Sequence, residues 1–589
     1  MAVEKLIVDH IDTWTTALQT RSTAGRGSSG KIDLYGIKKL RELILELAVR
    51  GKLVPQDPND EPASELLKRI AAEKAELVKL GKMKKPKPLP EISEEKKPFE
   101  LPVGWEWTTL NTLAEINPKI DVSDDEQDIS FVPMPLISTK FDGSHDFEVR
   151  KWKEIKKGYT HFANGDIAIA KITPCFENSK AAIFSGLKNN VGVGTTELHV
   201  ARPYSQAVNQ QYLLLNFKSP GFLKTGESQM TGSAGQKRVP RNFFENYPLP
   251  FPPLQEQERI VNNFTQLMIL CDELEQHSLT SLDAHQQLVE TLLTTLTNSQ
   301  NADELAENWA RISEHFDTLF TTEASIDALK QTILQLAVMG KLVPQDPNDE
   351  PASELLKRIA QEKAQLVKDG KMKKQKPLPP ISDEEKPFEL PDGWEWCRLG
   401  EIVTIRGGKR VSNGYKLLST VTPYVYIRVS DMKDGSIDLT DLRYIDSDMQ
   451  KKISSYIIKK EDIYMTIVGA TIGKCGTIPA ELDGMNLTEN AARLTPHAEL
   501  SKQYLFQCLR STFCQSQFID KTLQVGVQKM ALNRLSNTLI PLPPVLECEK
   551  IVNKINEIET ICHGIAEKII NTQQTQLHLA DALTDAAIN

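Results

Sequence analysis

Residues 45–107 read LELAVRGKLVPQDPNDEPASELLKRIAAEKAELVKLGKMKKPKPLPEISEEKKPFELPVGWEW, and residues 334–396 repeat this stretch almost unchanged. The two copies stay in register at a separation of 289 residues and differ at ten of 63 positions. Copies this similar should form the same local structure and present the same surface twice. The period is far longer than that of a solenoid repeat, so it indicates a duplicated half-molecule. A recent duplication without functional symmetry is the alternative interpretation.

The composition is typical of a soluble globular protein, with 40% hydrophobic and 25% charged residues in a chain of 589. No run of about 18 uncharged apolar residues predicts a membrane span. The first residues, MAVEKLIVDHIDTW, lack the basic start and apolar core of a signal peptide. The eight cysteines form no Cys-x-x-Cys pair, which argues against a zinc site or a disulfide framework and favours the reducing cytoplasm.

The net charge of −9 argues at first against a nucleic-acid partner, but the charge is unevenly distributed. Residues 108–250 carry 16 basic and 15 acidic side chains, and residues 397–541 carry 19 and 14. The excess acid therefore lies on the repeated and helical parts, which are the better candidates for protein-binding surfaces. The two other segments are free to approach a polyanion.

Several local signals predict helices and strands. Residues 3 to about 21 are predicted to be helical, and within the repeat Pro62 and Gly81 are typical of the start and the end of a helix. After each Gly-Trp-Glu-Trp comes a segment of about 145 residues that is rich in strand-like pieces, such as 168–170 and 464–468. The two segments have diverged but keep shared landmarks, as expected of one fold that carries two different surfaces. Drift of an unconstrained domain is the alternative.

A helix with a coiled-coil spacing follows each variable segment. The apolar positions of the first are Ile260, Phe264, Leu267, Cys271 and Leu274, and those of the second are Ile551, Ile555, Ile558, Cys562 and Ile565. In the second helix the spacing continues through Ile569, Thr572, Gln576, Leu579 and Leu583. We call each row of apolar positions a seam. Because the two seams have the same spacing, we predict that they pack on each other, and a core helix inside a globular domain is the alternative.

No motif predicts catalysis by this chain. Gly469–Cys475 resembles a phosphate-binding loop, but it is one residue short between its glycines and has Cys where a magnesium-binding hydroxyl belongs. The ten histidines are scattered, and we predict no metal site. We therefore interpret the chain as a non-enzymatic binding protein.

Taken together, the motifs resemble the specificity subunits of type I DNA restriction–modification systems, with the long repeat similar to the type IB branch. The resemblance covers the whole chain and rests on the Gly-Trp-Glu-Trp sequence, the Asp-Ile strands, the Gly-x-Gln-Lys segment and the proline-rich stretch Pro248–Gln257 that ends the first variable segment. The stretch that ends the second variable segment departs from this pattern, because it has Cys548 where the first has Gln257.

The resemblance implies an α+β fold in which two similar mixed α/β target-recognition domains are joined by long helices. These helices form an antiparallel coiled coil in a pseudo-twofold duplication. We call each target-recognition domain a reader. The expected division is a helical region at 1–107, the first reader at 108–253, a central helical region at 254–396, the second reader at 397–544 and a C-terminal helix at 545–589.

The same resemblance implies that the chain reads a split, asymmetric sequence of double-stranded DNA, one half for each reader. Two modification subunits then methylate adenine with S-adenosylmethionine, and restriction subunits add ATP- and Mg²⁺-dependent cleavage. The chain itself is expected to bind none of these cofactors. A stand-alone DNA-binding regulator or architectural protein is the main alternative, and a methyltransferase with an unrecognised site is the second.

Basic and amide side chains of the readers are the candidates for DNA contacts, and for each of them a solvated surface charge is the alternative. In the first reader they are Lys140, Lys171, Gln236, Lys237, Arg238 and Arg241. In the second they are Arg406, Lys409, Arg410, Arg428, Lys433, Gln528, Lys529 and Arg534. The densest cluster is Thr404–Arg410, whose two glycines would let the backbone approach DNA.

Overall fold

The computed structural model describes residues 3–21, 31–81, 92–233, 235–433, 435–497, 499–518 and 529–588. The chain divides into two compact units. Unit one comprises the chain up to Gln19, Ile32–Leu279 and the chain from Gln573, and unit two comprises Thr280–Thr572 with the described residues of Thr20–Lys31. Each long helix, 254–298 and 545–588, therefore contributes residues to both units.

The first half of the chain alternates helices with short strands. From the N-terminus to the first long helix the elements are α1 (Val3–Asp9), α2 (Ile11–Thr16), β1 (Gln19–Arg21), β2 (Lys31–Asp33), α3 (Tyr35–Val49), α4 (Ala63–Lys79), β3 (Glu106–Thr109), α5 (Leu110–Leu113), β4 (Ala114–Ile116), β5 (Asp128–Val132), β6 (Glu148–Lys151), α6 (Trp152–Ile155), β7 (Thr160–Ala163), β8 (Ile167–Ala170), β9 (Ala181–Ile183), β10 (Val191–Gly194), β11 (Leu198–Pro203), α7 (Gln210–Lys218), α8 (Pro220–Ser228), α9 (Arg241–Asn246), β12 (Pro248–Phe251) and α10 (Leu254–Asn298).

The second half repeats this order with fewer strands. Its elements are α11 (Ala302–Glu314), α12 (Phe316–Leu319), α13 (Glu323–Val338), α14 (Ala352–Lys368), β13 (Glu395–Arg398), α15 (Leu399–Ile402), β14 (Val403–Gly407), β15 (Tyr426–Ile427), β16 (Met432–Lys433), β17 (Ser436–Ile437), α16 (Ser447–Lys452), β18 (Ile463–Thr466), β19 (Cys475–Thr477), β20 (Asn486–Leu487), β21 (Ala491–Pro496), α17 (Lys502–Arg510), α18 (Thr512–Phe518), α19 (Leu532–Ser536), β22 (Leu539–Leu542) and α20 (Val545–Ile588). Within the described residues, no helix is both long enough and apolar enough to cross a membrane.

Each reader is built on the same four-stranded sheet. The strand order is β4-β11-β8-β9 in unit one and β14-β21-β18-β19 in unit two. The ends of each reader are also joined in the same way, because β3 pairs antiparallel with β12 and β13 with β22. Unit one has a second four-stranded sheet, β6-β5-β10-β7, where unit two has the two-stranded β15-β20. The mixed α/β readers, the duplication and the long helices of the predicted fold class are confirmed.

The repeated stretch supplies much of the core of each unit. In unit two, Leu334 of α13 and Leu355 of α14 belong to one apolar cluster with Trp394 and with strand residues of the second reader. The helix boundaries inside the repeat agree with the sequence signals. Helix α4 begins directly after Pro62 and ends at Lys79, and Gly81 then takes the left-handed backbone conformation (φ +68°) that favours glycine.

The prediction that residues 3 to about 21 are helical is correct for α1 and α2 but wrong beyond Thr16, where α2 ends. The cause is the close packing of the chain on α3. The backbone N–H of Gly36 donates to the carbonyl of Ala17, and a Cβ at Gly36 would lie 2.3 Å from the carbonyl oxygen of Trp14. The chain therefore leaves the helix to pass along the start of α3.

The first five predicted seam positions of each long helix, Ile260 to Leu274 and Ile551 to Ile565, are buried or half-buried. In unit one, the guanidinium of Arg41 on α3 donates to the carboxylates of Asp272 and Glu275 beside the seam, and the ring of Phe141 lies 5.5 Å from that of Phe264. In unit two, the seam residues belong to the same apolar cluster as residues of α13. These contacts lie inside each unit, as the core-helix alternative predicts. The packing of the two seams on each other would join residues of different units, and it stays a prediction.

Toward the end of α20 the predicted spacing is wrong at two of its five positions, while Ile569, Gln576 and Leu583 are half-buried. Thr572 and Leu579 are exposed, Leu579 by 41%, while Ala580 and Thr584 are buried. A straight helix drifts by about 20° per heptad relative to a 3.5-residue repeat. Over the four heptads from Ile551 to Leu579 the drift amounts to roughly 80°, which is close to the step of about 100° between neighbouring residues. The buried face therefore moves on by one position.

Candidate nucleic-acid interface

A buried glutamate ties the two ends of the first reader together. Glu256 lies in the first turn of α10 and is 1% exposed. Its carboxylate accepts a hydrogen bond from the indole Nε1 of Trp105 at 3.0 Å and another from the amide Nε2 of Gln56 at 3.0 Å. Burial raises the pKa of Glu256, and the two donors oppose that rise.

The second reader is held in the same way. Glu547 accepts from the indole Nε1 of Trp394 at 3.0 Å and from the amide Nε2 of Gln345 at 3.1 Å. Burial again raises the pKa of the carboxyl group. We call each set of three residues a Trp–Glu clamp. The sequence interpretation identified both tryptophans but missed both glutamates. Glu256 and Glu547 are 291 residues apart, which is also the separation of the paired seam positions that follow them.

The departure at Cys548 changes the hydrogen bonding next to the second clamp. In unit one, Gln257 accepts from the backbone N–H of Asn209 at 2.8 Å and donates to the carbonyl of Pro252 at 3.0 Å. Cys548 is buried in the apolar cluster of unit two. The position therefore stays in the core in both units, but only the first carries this polar link to the start of α7.

Three of the first-reader candidates come together beside β8 and β11. The backbone N–H of Thr173 donates to the carbonyl of Lys237 at 3.0 Å, which brings Lys237 and Arg238 alongside Lys171. The guanidinium of Arg238 makes two hydrogen bonds to the carboxylate of Glu197, at 2.9 and 2.8 Å. This ion pair balances the charge of Arg238, so Lys171 and Lys237 are the stronger phosphate candidates in this cluster.

The other first-reader candidates lie around this cluster or apart from it. Gln236 is exposed in the loop that carries Lys237, whereas Lys140 is exposed on a separate loop before β6. Arg241 begins α9, and its Nε donates to Glu245 at 2.5 Å. The structure therefore brings four of the six candidates together next to the end of β8, whereas Lys140 lies on a separate loop and Arg241 on α9.

The basic cluster predicted in the second reader begins within the edge strand β14, which holds Arg406, and continues past its end to Lys409 and Arg410. Lys409 lies with its ammonium 5.6 Å from the ring centre of Tyr456, and Arg410 donates to Glu489 at 2.6 Å. A Cβ at Gly408 would lie 2.1 Å from the carbonyl oxygen of Thr488, so the chain can pass this point only as glycine. The required glycine holds the chain against Thr488 directly before the two cations.

Two further candidates are paired with acids. The guanidinium of Arg428 donates to Asp431 at 2.6 Å, and Lys433 donates to Asp438 at 2.9 Å. Because Asp431 is buried, breaking its pair with Arg428 would leave an uncompensated buried charge, so Arg428 is a weaker candidate for a DNA contact than Arg406 and Lys409.

The last candidates in chain order are Gln528, Lys529 and Arg534, and Arg534 lies in α19. Lys529 forms a β-bridge with Val468, and the guanidinium of Arg534 donates to the carbonyl of Gln517 at 3.2 Å. Gln528 lies outside the described residues. None of these placements tests contact with DNA, so the candidate set as a whole stays a prediction.

The sequence interpretation missed Arg493, which lies in β21 directly opposite Arg406. A basic residue inside a strand is ordinarily read as part of its solvent face, and the register that joins the two strands cannot be read from either strand alone. The signal that was available is a single charge within the otherwise uncharged Ala491–Pro496.

Comparisons with known proteins match both halves of the chain. Residues 102–284 and 391–572 match the family model of the type I restriction modification DNA specificity domain. Over its full length and theirs, the chain is 69% identical to the EcoAI specificity subunit and 61% identical to the EcoEI specificity subunit, both of type I restriction enzymes of Escherichia coli. A solved chain from a study of complex assembly and conformational transition of the type I R-M system has a similar fold. Its TM-score is 0.52 at 17% identity, over 84% of this chain and 99% of that chain.

Proposed function

Because the chain belongs to the family of type I restriction–modification specificity subunits, we propose that it reads a bipartite, asymmetric sequence of duplex DNA, one half-site with each reader. The observation that carries this proposal is the duplicated scaffold. Two Trp–Glu clamps with hydrogen bonds of 3.0 to 3.1 Å hold two readers whose exposed side chains differ. Two readers that are held by the same contacts but carry different exposed side chains suit the recognition of two different half-sites.

Physical chemistry divides the work of each reader into two parts. Cations such as Lys171 and Lys409 bind phosphates and set the orientation of the reader on the duplex, while side chains that reach base edges select the sequence. Half-sites that lie one helical turn apart require readers about 34–36 Å apart. The paired long helices of the proposed coiled coil would set that distance.

We propose that catalysis belongs to partner subunits. Two modification subunits would dock on the repeated regions and methylate adenine with S-adenosylmethionine, and restriction subunits would use ATP and Mg²⁺. The excess acidic charge of the chain lies on the repeated and helical parts, which supports protein docking there and DNA binding on the readers. Such an assembly would act on DNA in the cytoplasm.

The test is co-expression of the full chain with the adenine methyltransferase subunit encoded beside it. We expect the two to co-purify with two copies of the methyltransferase for each chain, and the complex to protect two separated tracts of one duplex from nuclease. A chain that binds a specific duplex tightly by itself, and to which no methyltransferase binds, would instead favour the stand-alone regulator.

Removing the basic cluster of the second reader should weaken DNA binding. In the triple variant Arg406→Ala, Lys409→Ala, Arg410→Ala, we expect affinity for duplex DNA to fall by at least about tenfold. The slope of log K against log salt should also become less steep, by about 0.9 for each lost phosphate contact. Fluorescence anisotropy at several salt concentrations measures both quantities.

The matched control removes three exposed cations from α4, outside both readers, as Lys68→Ala, Arg69→Ala, Lys79→Ala. It changes the net charge of the chain by the same amount and should leave the salt dependence unaltered. Equal slopes for the triple variant and the unsubstituted chain would remove this cluster from the interface.

A further inference from the structure

The sheet of the second reader contains two arginines that face each other. Arg406 in β14 and Arg493 in β21 are direct cross-strand partners, so their Cβ atoms lie on one face of the sheet about 5 Å apart. Like charges placed directly opposite each other destabilise a sheet unless something offsets them. Arg406 is exposed, and within the described part of the chain its guanidinium forms no ion pair.

The buried carboxylate of Asp462 lies beside one member of this pair, Arg493. The side chain of Arg493 is 12% exposed, donates a hydrogen bond to the carbonyl of Ile457, and lies 3.9 Å from the carboxylate of the buried Asp462. That carboxylate also accepts from the hydroxyl of Thr495 at 2.5 Å. Burial and the charge of Arg406 lower the pKa of Arg493, while Asp462 opposes them. The site is left with one positive charge more than its described partners balance.

The two arginines open onto a cavity of about 290 Å³. Its other walls include Gly407, Gly408 and the ring of Tyr456. The ammonium of Lys409 lies 5.6 Å from the centre of the Tyr456 ring, so a third cation lies next to one of the wall residues, although Lys409 does not itself line the cavity. Space, two arginines and a glycine wall are the features of a site for an oxyanion, and the planar guanidinium matches the geometry of phosphate oxygens.

The first reader has no such pair at the equivalent positions. Ile116 and Ala201 pair in its sheet as Ile405 and Leu494 pair in the second, so the counterparts of Arg406 and Arg493 are Asn117 and Val200. These two residues close on each other through two hydrogen bonds of 2.8 and 2.9 Å.

The buried acid also differs between the readers. In the first reader, the carboxylate of Asp166 accepts two hydrogen bonds from Arg202, at 2.8 and 2.7 Å. In the second reader, the position of Arg202 is occupied by the uncharged Thr495. The excess of cationic charge at this point of the sheet is therefore a feature of the second reader.

We infer that the cavity between Arg406 and Arg493 is an oxyanion site that binds one phosphate of the DNA backbone in the second half-site. This inference rests on the proposed function. The site would fix the second reader on its half-site at a contact for which the first reader has no counterpart.

The test uses the full chain in its complex with the modification subunits and a set of duplexes in which single phosphates are replaced by neutral methylphosphonates. For the unsubstituted chain, we expect neutralisation of one phosphate in the second half-site to lower affinity about tenfold. In Arg406→Gln, which alters an exposed side chain and should fold normally, affinity should fall about tenfold on the unmodified duplex. The same methylphosphonate should then have no further effect. Arg493→Lys should give a partial loss, and Lys416→Gln, an exposed charge outside the cavity, should keep the full methylphosphonate effect.

Two results would overturn the inference. The first is additivity of Arg406→Gln with every methylphosphonate in the second half-site. The second is stabilisation of the chain against heat by inorganic phosphate, lost in Arg406→Gln, without any such coupling on DNA, which would mean a site for small anions. If instead the complex bound no specific duplex at all, the proposed function would fail, and that outcome differs from both of the others.

Discussion

Replacing residues 108–250 by the corresponding segment of a relative is expected to change the bases required in one half-site and to leave the other half-site unaltered. The exchanged segment begins at Thr108 in β3 and ends at Pro250 in β12, and these two strands pair with each other. Because the clamp residues lie outside the exchange, the new reader would be held in the same way. Each mismatched base pair costs about 1–3 kcal/mol, so a wholly different half-site should lower affinity by several orders of magnitude.

Selection of bound duplexes from a randomised pool, followed by sequencing, measures this result. The reciprocal exchange of residues 397–541 serves as the matched control and should change the opposite half-site. A change in both halves after either exchange would contradict the assignment of one half-site to each reader.

Removing the acid of a Trp–Glu clamp should have the largest effect on stability. In Glu256→Ala, the buried indole N–H of Trp105 loses its acceptor and a small cavity forms. A buried donor without a partner costs about 1–3 kcal/mol, so we expect the free energy of unfolding to fall by about 2 kcal/mol. Glu256→Gln keeps an amide oxygen for the indole and should cost less. The shift of the midpoint of urea unfolding measures both effects.

The second clamp provides a replicate of this experiment, and an exposed glutamate of α10 provides a control. Glu547→Ala should cost about as much as Glu256→Ala, because the second clamp makes the same two hydrogen bonds. Glu258 is exposed two residues further along α10, and Glu258→Ala should change the free energy of unfolding by less than about 0.5 kcal/mol. If Glu256→Ala were as stable as Glu258→Ala, the clamp would not hold the reader.

The features that the sequence predicted best are those written in local patterns. The ends of α4 follow from Pro62 and Gly81, and β8 and β18 lie where the apolar pieces after Asp166 and Asp462 predict strands. The two long helices follow from their spacing of apolar residues. The duplication itself could be read directly, because Trp105 and Trp394 occupy the same register.

What the sequence did not predict depends on packing between distant parts of the chain. The early end of α2 is set by the contact of Gly36 with the carbonyl of Trp14, and the face of α20 that is buried near Ala580 depends on accumulated helical drift. The pairing of Arg406 with Arg493 needs the register of two strands that are 87 residues apart. The roles of individual cations on DNA require a docked duplex, and those assignments stay predictions.

The likeness of the two clamps has a consequence for how recognition evolves. Because Trp105 and Trp394 make the same hydrogen bond in the same register, we expect either clamp to hold either reader. A lineage that shuffles readers between the two clamps obtains new target sequences without inventing a new fold. The number of ordered combinations then grows as the square of the number of interchangeable readers.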